Sequence, residues 1–393
     1  MPDSSPMRNV PADPEPKPQL GRTRRRDLLA AAGWLALCSG LGPTRAAAAA
    51  GGDPAVAPAR MAGLDAALLE ETLARAARLP NLHALLVARD GAELVGRAFR
   101  GPGLDRPVNV KSVSKSVIAA LAGIAIERGV LQGVDQRIAP LLDDFVPADA
   151  DPRVALITVD HLLTMRAGLE RTSGGNYGRW VASDNWVRYA LARPFVDEPG
   201  GRMLYSTGSY HLLSAVLTRA AGRSTLALAR EWLGEPLQIT VPPWTRDPQG
   251  FYLGGNNMAL SPRALLRFGE MYRLGGAYEG RRVLPGSWIE ASWTPRVRSP
   301  FTGHTYGYGW FIAKARGHPV AYAWGYGGQM IYVVPDLALT VVMTSDATAP
   351  SGRSGYVRQL HDLVAQGIVA AAERSAAGAA PGTPRKPFVG YER

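Results

Sequence analysis

Cysteine is almost absent from this chain. Across 393 residues there is one, Cys38, which excludes a disulfide framework and a cysteine-rich metal site. Histidine is sparse as well. The six (His83, His161, His211, His304, His318 and His361) are scattered, and no two stand at the short spacing that puts two ligands on one helix face. No metal ligand is therefore nominated. The G-x-S-x-G elbow of Ser-His-Asp hydrolases is missing, and so is any internal repeat of fixed period. A long basic run is missing too, although the formal net charge is +11. Residues 1–50 hold seven Arg/Lys against four acids, so the leader carries +3 and the remainder +8, spread over isolated arginines. Without a basic run interleaved with aromatics, this charge argues against a nucleic-acid partner.

What is present is the composition of a globular protein, 46% hydrophobic and 20% charged, with ample material for a large core. Arg24-Arg25-Arg26-Asp27-Leu28-Leu29 precedes an apolar stretch to Leu41, followed by Ala46 to Ala50 with small-residue cleavage sites. This is the three-part layout of a secretory signal, too short in its apolar part for a transmembrane helix. Its paired arginines and two leucines resemble a twin-arginine signal. The expectation is export to the periplasm or beyond, with no membrane span in the mature chain. Leu35-Ala36-Leu37-Cys38 is a poor lipoprotein signal because Leu37 is bulky.

After a linker at 51–62, an amphipathic helix is expected over 63–79 and ended by Pro80. Leu82 to Val87 and Glu93 to Phe99 read as strands joined by the hairpin signal Arg89-Asp90-Gly91. Near the other end, Tyr306 to Ala313, Val320 to Trp324, Gln329 to Val334 and Leu339 to Met343 are β-rich runs between Gly, Pro and Asp. A helix over 356–372 follows, then a tail at 373–393 too poor in large apolar residues to order itself. The middle, about residues 112–275, is helical, with one helix running from the N-cap Thr158 to Gly168. Strands at both ends and helices between predict an α/β (α+β) fold over 63–372: one antiparallel sheet flanked by helices, with a helical domain inserted.

Ser112 and Lys115 are three apart at the start of a helix that is apolar from Val117 to Ile126, so their side chains face the same way. A lysine entering a buried helix is desolvated, which lowers its pKa and lets it take the serine's proton. The helix N-terminus favours negative charge near Ser112. Tyr205, on the loop before the apolar helix that carries Leu212, Leu213, Val216 and Leu217, can reach a cleft, and beside a lysine cation its phenol can be held as a phenolate base. Gly325, Tyr326 and Gly327 lie between two strand candidates, where glycines admit a substrate backbone and an outward N–H completes an oxyanion hole with that of Ser112.

In this order the three elements resemble the serine β-lactamase and penicillin-binding superfamily, with the likeness strongest to its esterases and 6-aminohexanoate-oligomer hydrolases. The likeness spans roughly residues 65–370. Ser112-Val113-Ser114-Lys115 matches the first motif, and Tyr205-Ser206-Thr207 the tyrosine motif, with Thr in place of the usual Asn. Further likeness lies in Ile157 to Leu169, Tyr306 to Trp310 and Gly325 to Gln329. The third motif, usually Lys-Thr-Gly or His-Thr-Gly, aligns with Ala323-Trp324-Gly325 and so has lost its cation.

The resemblance implies an acyl-enzyme on Ser112, proton transfer by Lys115 and Tyr205, and an oxyanion between the N–H groups of Ser112 and Tyr326, with Gly328 as the alternative register. It implies no cofactor. The substrate is expected to be a small amide or ester, either neutral or with its carboxylate held elsewhere than on the third motif. The other readings are a β-lactamase or D-Ala-D-Ala carboxypeptidase, and a catalytically silent sensor. Oligomeric state is left open.

Overall fold

Asp65 opens the first helix by accepting the Leu68 N–H at 2.9 Å, and helix α1 (Ala66–Ala77) buries Leu69, Thr72 and Ala76. In the computed structural model, residues 63–351 and 354–378 are described. The expected leader and linker, residues 1–62, lie outside them, as do 379–393. Helix α1 closes at Arg78, ahead of Pro80.

Strands β1 (Leu82–Arg89) and β2 (Ala92–Ala98) follow, joined by Asp90 and Gly91 with φ of 52° and 86°. Two successive left-handed residues match the twist of a tight hairpin, which is what an Asp-Gly pair supplies. The late strands are β3 (Val297–Arg298), β4 (Thr305–Tyr306), β5 (Phe311–Ala315), β6 (His318–Gly325), β7 (Gln329–Val334) and β8 (Leu339–Ser345). The expected run Tyr306 to Ala313 is thus broken into β4 and β5. Gly309 turns left-handed between them, and the Gly307 N–H folds back onto Trp310 O at 3.0 Å.

The eight strands form one sheet in the order β2-β1-β8-β7-β6-β5-β4-β3, with every neighbouring pair antiparallel. Strands β7 and β8 are buried along their whole length, so both sheet faces are covered. Helix α1 packs against the C-terminal helical segment, where Tyr356–Asp362 continues through a π-helical stretch, Leu363–Val369, into Ala370–Gly378. The helix therefore extends into the segment expected to be an unstructured tail.

Between β2 and β3 the chain is mainly helical, as expected. It includes α2 (Ser114–Glu127), α3 (Val159–Leu163), α4 (Thr207–Ala221) and α5 (Pro262–Arg273). Thr158 and His161 form a reciprocal capping box at the start of α3, but that helix is shorter than predicted. Met165 turns left-handed at φ 56°, and the buried loop after it is tied by Arg166 N–H to His161 O at 2.7 Å. Helix α5 packs on β1, β7 and β8, so it belongs to the sheet layers and not to an inserted helical domain. Among the described residues, no helix is long and apolar enough to cross a membrane.

Candidate active site

Helix α2 is apolar from Val117 to Ile126 and buried from Ser114 to Ala125. That burial carries Lys115 inside the protein, where it is 1% exposed. Ser112 precedes the helix proper, in the 3-10 turn Lys111–Val113. The residue before it, Lys111, holds a left-handed φ of 50° and donates its N–H to Asn109 Oδ1 at 2.9 Å. Strain of this kind persists only where surrounding structure imposes it, and it clusters at functional sites. Ser112 follows directly, with its Oγ within hydrogen-bond distance of Lys115 Nζ.

Lys115 Nζ is 3.1 Å from Ser112 Oγ, 2.7 Å from Gly255 O and 3.4 Å from Thr207 Oγ1. All three partners are uncharged. Burial therefore lowers the Lys115 pKa to about 7, leaving a large neutral fraction at physiological pH. Thr207, at the start of α4, is itself set by Ser173, whose Oγ stands 2.9 Å from Thr207 Oγ1 and accepts the Thr207 N–H at 2.8 Å. The two-residue pairing of Val108–Asn109 with Ala259–Leu260 ties the segment before Ser112 to the loop holding Gly255.

Tyr205 lines the same cleft, but not as the expected phenolate. The ammonium lies over its ring, 4.9 Å from the centroid. Burial pushes the phenol up to about 12, partly offset by hydrogen bonding with Ser112. At neutral pH Tyr205 therefore keeps its proton, while a large fraction of Lys115 is neutral.

At the end of β6, Tyr326 is half exposed and faces the cleft. Gly325 and Gly327 do not line it. A Cβ at Gly325 would run into Val110 O, and one at Gly327 into Asp346 O. The chain's own backbone, not a substrate, fills the space these glycines leave. The N–H of Gly327 goes to Ser351 Oγ at 3.0 Å and that of Gly328 to Gly325 O at 3.1 Å. This removes both from consideration as oxyanion donors.

The cleft holds about 710 Å³ and is walled by aromatic rings, among them Tyr177, Phe301, Phe311 and Trp324. Trp324 lines the cleft, whereas Ala323 is buried at 1% exposure. The sequence reading did not single out Arg171, Ser173, Gly255, Asn256 or Phe301. The doublet Gly254-Gly255 carried a signal. A Cβ at Gly254 would collide with Tyr210 O, and one at Gly255 would stand 2.9 Å from Thr207 O, so only glycine lets this carbonyl reach the lysine. Among the described residues no group of three or more His, Cys, Asp or Glu could hold a metal ion.

A family model described as Beta-lactamase matches residues 69–366. Esterase EstB of Burkholderia gladioli is 29% identical over 201 residues, 47% of this chain and 51% of the esterase, so the match spans about half of that protein's length. Among solved structures, the octameric penicillin-binding protein homologue from Pyrococcus abyssi superposes with a TM-score of 0.61 at 19% identity, covering 79% of this chain and 78% of that one. The class C beta lactamase from Rhodobacter sphaeroides gives 0.58 at 16%, covering 78% and 99%. At these identities the likeness is one of fold.

Proposed function

The chain belongs to the beta-lactamase family, and from that premise we propose that it hydrolyses a small ester or amide through an acyl-enzyme on Ser112. The observation that carries this reading is the buried amine of Lys115, 3.1 Å from Ser112 Oγ and with a pKa near 7. Neutral Lys115 takes the Ser112 proton as Oγ attacks the carbonyl carbon. The developing oxyanion accepts from the N–H groups of Ser112 and Tyr326, in a cleft whose aromatic walls weaken competition from water. Tyr205 hands its proton to the departing alcohol or amine and is reprotonated through Lys115. A water molecule then attacks the acyl-enzyme by the same relay in reverse.

With Ala323-Trp324-Gly325 at the third motif, and so no cation there, a carboxylate adjacent to the scissile bond loses a charge-assisted contact of roughly 1.5–3 kcal/mol. Short-chain 4-nitrophenyl esters should therefore be cleaved with higher kcat/KM than nitrocefin. A fluorophosphonate should add mass to the peptide containing Ser112, and Ser112→Ala should abolish labelling and both hydrolyses. Labelling of another serine, or activity surviving in Ser112→Ala, sinks the assignment.

A further inference from the structure

Among the described residues two cations line the cleft, Lys111 and Arg171, and no carboxylate does. Elsewhere Arg153, Arg263 and Arg273 are each paired with acidic side chains. Arg171 has no acidic partner among the described residues. Its guanidinium lies instead over the Phe301 ring, 5.5 Å from the centroid. The backbone at Arg171 is fixed, because its carbonyl accepts from Asn176 Nδ2 at 3.0 Å and the next residue's N–H donates to the buried Ser206 Oγ at 3.2 Å.

Phe301 is 59% exposed, an unusual setting for a large apolar side chain, and it is presented by a braced loop. Ser299 Oγ accepts the N–H groups of Phe301 and Thr302 at 3.3 and 3.4 Å. The Phe301 ring meets Tyr205 edge to face, 6.3 Å between centroids at 89°. Along the cleft wall the contacts therefore run from Ser112 to Tyr205, Phe301 and Arg171. A guanidinium stacked on an aromatic ring keeps its N–H fork free, and that fork matches a planar carboxylate in two-point fashion.

Building on the hydrolytic reading above, we propose that the substrate carries a carboxylate held by Arg171, separated from the scissile carbonyl by a spacer that passes the rings of Tyr205 and Phe301. The third motif's missing cation is thus replaced at a more remote position. This selects linear carboxylate-bearing esters or amides and not β-lactams, whose carboxylate sits close to the bond that breaks. Lys111 adds positive potential to the same cleft, which draws anions in and weakens with salt.

The test compares isosteric pairs. With the carboxylate on the acyl side, these are the mono-4-nitrophenyl ester of glutaric acid and 4-nitrophenyl 5-methylhexanoate. With it on the leaving-group side, they are the butyryl amides of 6-aminohexanoate and of 6-methylheptylamine. In one pair the anionic member should be preferred, through KM and less strongly as salt is raised. Arg171→Gln should lower that preference roughly ten- to a hundred-fold, and Arg171→Lys should restore part of it. Equal handling of both members in both pairs, or an Arg171→Gln effect shared equally by neutral and anionic substrates, overturns the proposal. Calorimetric titration with glutarate separates the two readings. If no substrate is turned over and Ser112 is not labelled, the hydrolytic reading fails, yet glutarate binding lost in Arg171→Gln still upholds the anion site, and its absence in the wild-type protein overturns that site.

Discussion

Lys115 fixes both the chemistry of the site and a cost to the fold. Its amine titrates near 10.5 in an unfolded chain and near 7 here because burial disfavours the charged form. As base, it must be neutral, so kcat/KM for a neutral ester should rise with pH through about 7 and level off above it. Lys115→Arg should remove the activity across that range, since a guanidinium does not deprotonate. For stability the unfolded state binds the extra proton between these two pKa values, so the lysine's penalty is complete below pH 7 and vanishes as pH climbs toward 10.5. Lys115→Met should therefore stabilise more at pH 6 than at pH 9.5, the two effects differing by on the order of 3 kcal/mol. Urea denaturation of both proteins at the two pH values measures this. An equal effect at both would mean that the lysine is charged in the folded protein.

At this scale the sequence was informative about side chains that carry their chemistry with them. Ser112 and Lys115 are legible because three-residue spacing on a helix dictates their proximity, and Tyr205 because it precedes a buried helix. Gly255 was marked only as half of a glycine doublet and its role was not legible, since what it contributes is a carbonyl, and a carbonyl belongs to every residue. Arg171 and Phe301 escaped for another reason: they meet through the fold from loops far apart in sequence, and neither sits in a periodic pattern.

The elements around the site meet through glycines. Gly309, left-handed at φ 80° in the turn between β4 and β5, lies against the first turn of α2. Its carbonyl accepts Ser116 Oγ at 2.6 Å. A Cβ there would stand 2.9 Å from Ala119 Cβ and 3.0 Å from Ser116 Cα. Gly309→Ala should cost roughly 1–3 kcal/mol, combining the unfavourable φ with pressure on the helix that carries Lys115. Because that pressure reaches the Ser112–Lys115 pair, the rate of fluorophosphonate labelling should fall at temperatures where the variant is fully folded. A lower thermal midpoint with unchanged labelling would show that the turn supports the fold without positioning the lysine. The same turn explains why the β-rich run from Tyr306 was expected as one strand. Its alternation is sound, but Gly307 and Gly309 are there to let α2 and the Ser292 to Thr294 backbone approach, a demand of packing that local pattern does not express.

Across the whole molecule, Ser112 and Lys115, proposed as nucleophile and base, come from the helical middle, whereas the Tyr326 backbone comes from the last third of the chain. β8 returns to pair with β1, which joins the early hairpin and the late strands in one sheet. The hairpin was readable from Asp-Gly chemistry, β6 to β8 from their β-rich runs, and most of the C-terminal helix from its amphipathic period. The division between sheet layers and helical domain was not, because the amphipathic face of α5 is the same whether it meets helices or a sheet. The closure of the ends is completed where α1 meets the C-terminal helical segment: Asp65 N–H donates to Ala371 O at 2.9 Å, and Gly367 lies against the fully buried Thr72. Thr72 cannot yield easily, since its Oγ1 is bonded to Leu68 O at 2.7 Å and a Cβ at Gly367 would come within 3.0 Å of Thr72 Cβ. Gly367→Val should force the two helices apart and lower stability by roughly 1–3 kcal/mol. Gly367 is none of the residues that line the cleft or hold Lys115, and the strain is absorbed at the helix pair, so kcat/KM of the folded variant should match that of the parent. Urea midpoints together with ester hydrolysis at low temperature separate the two quantities. A fall in kcat/KM alongside stability would mean that the chain-end contact is transmitted through β1 and β8 to the cleft, and that the sheet acts as a coupled unit with the catalytic seam.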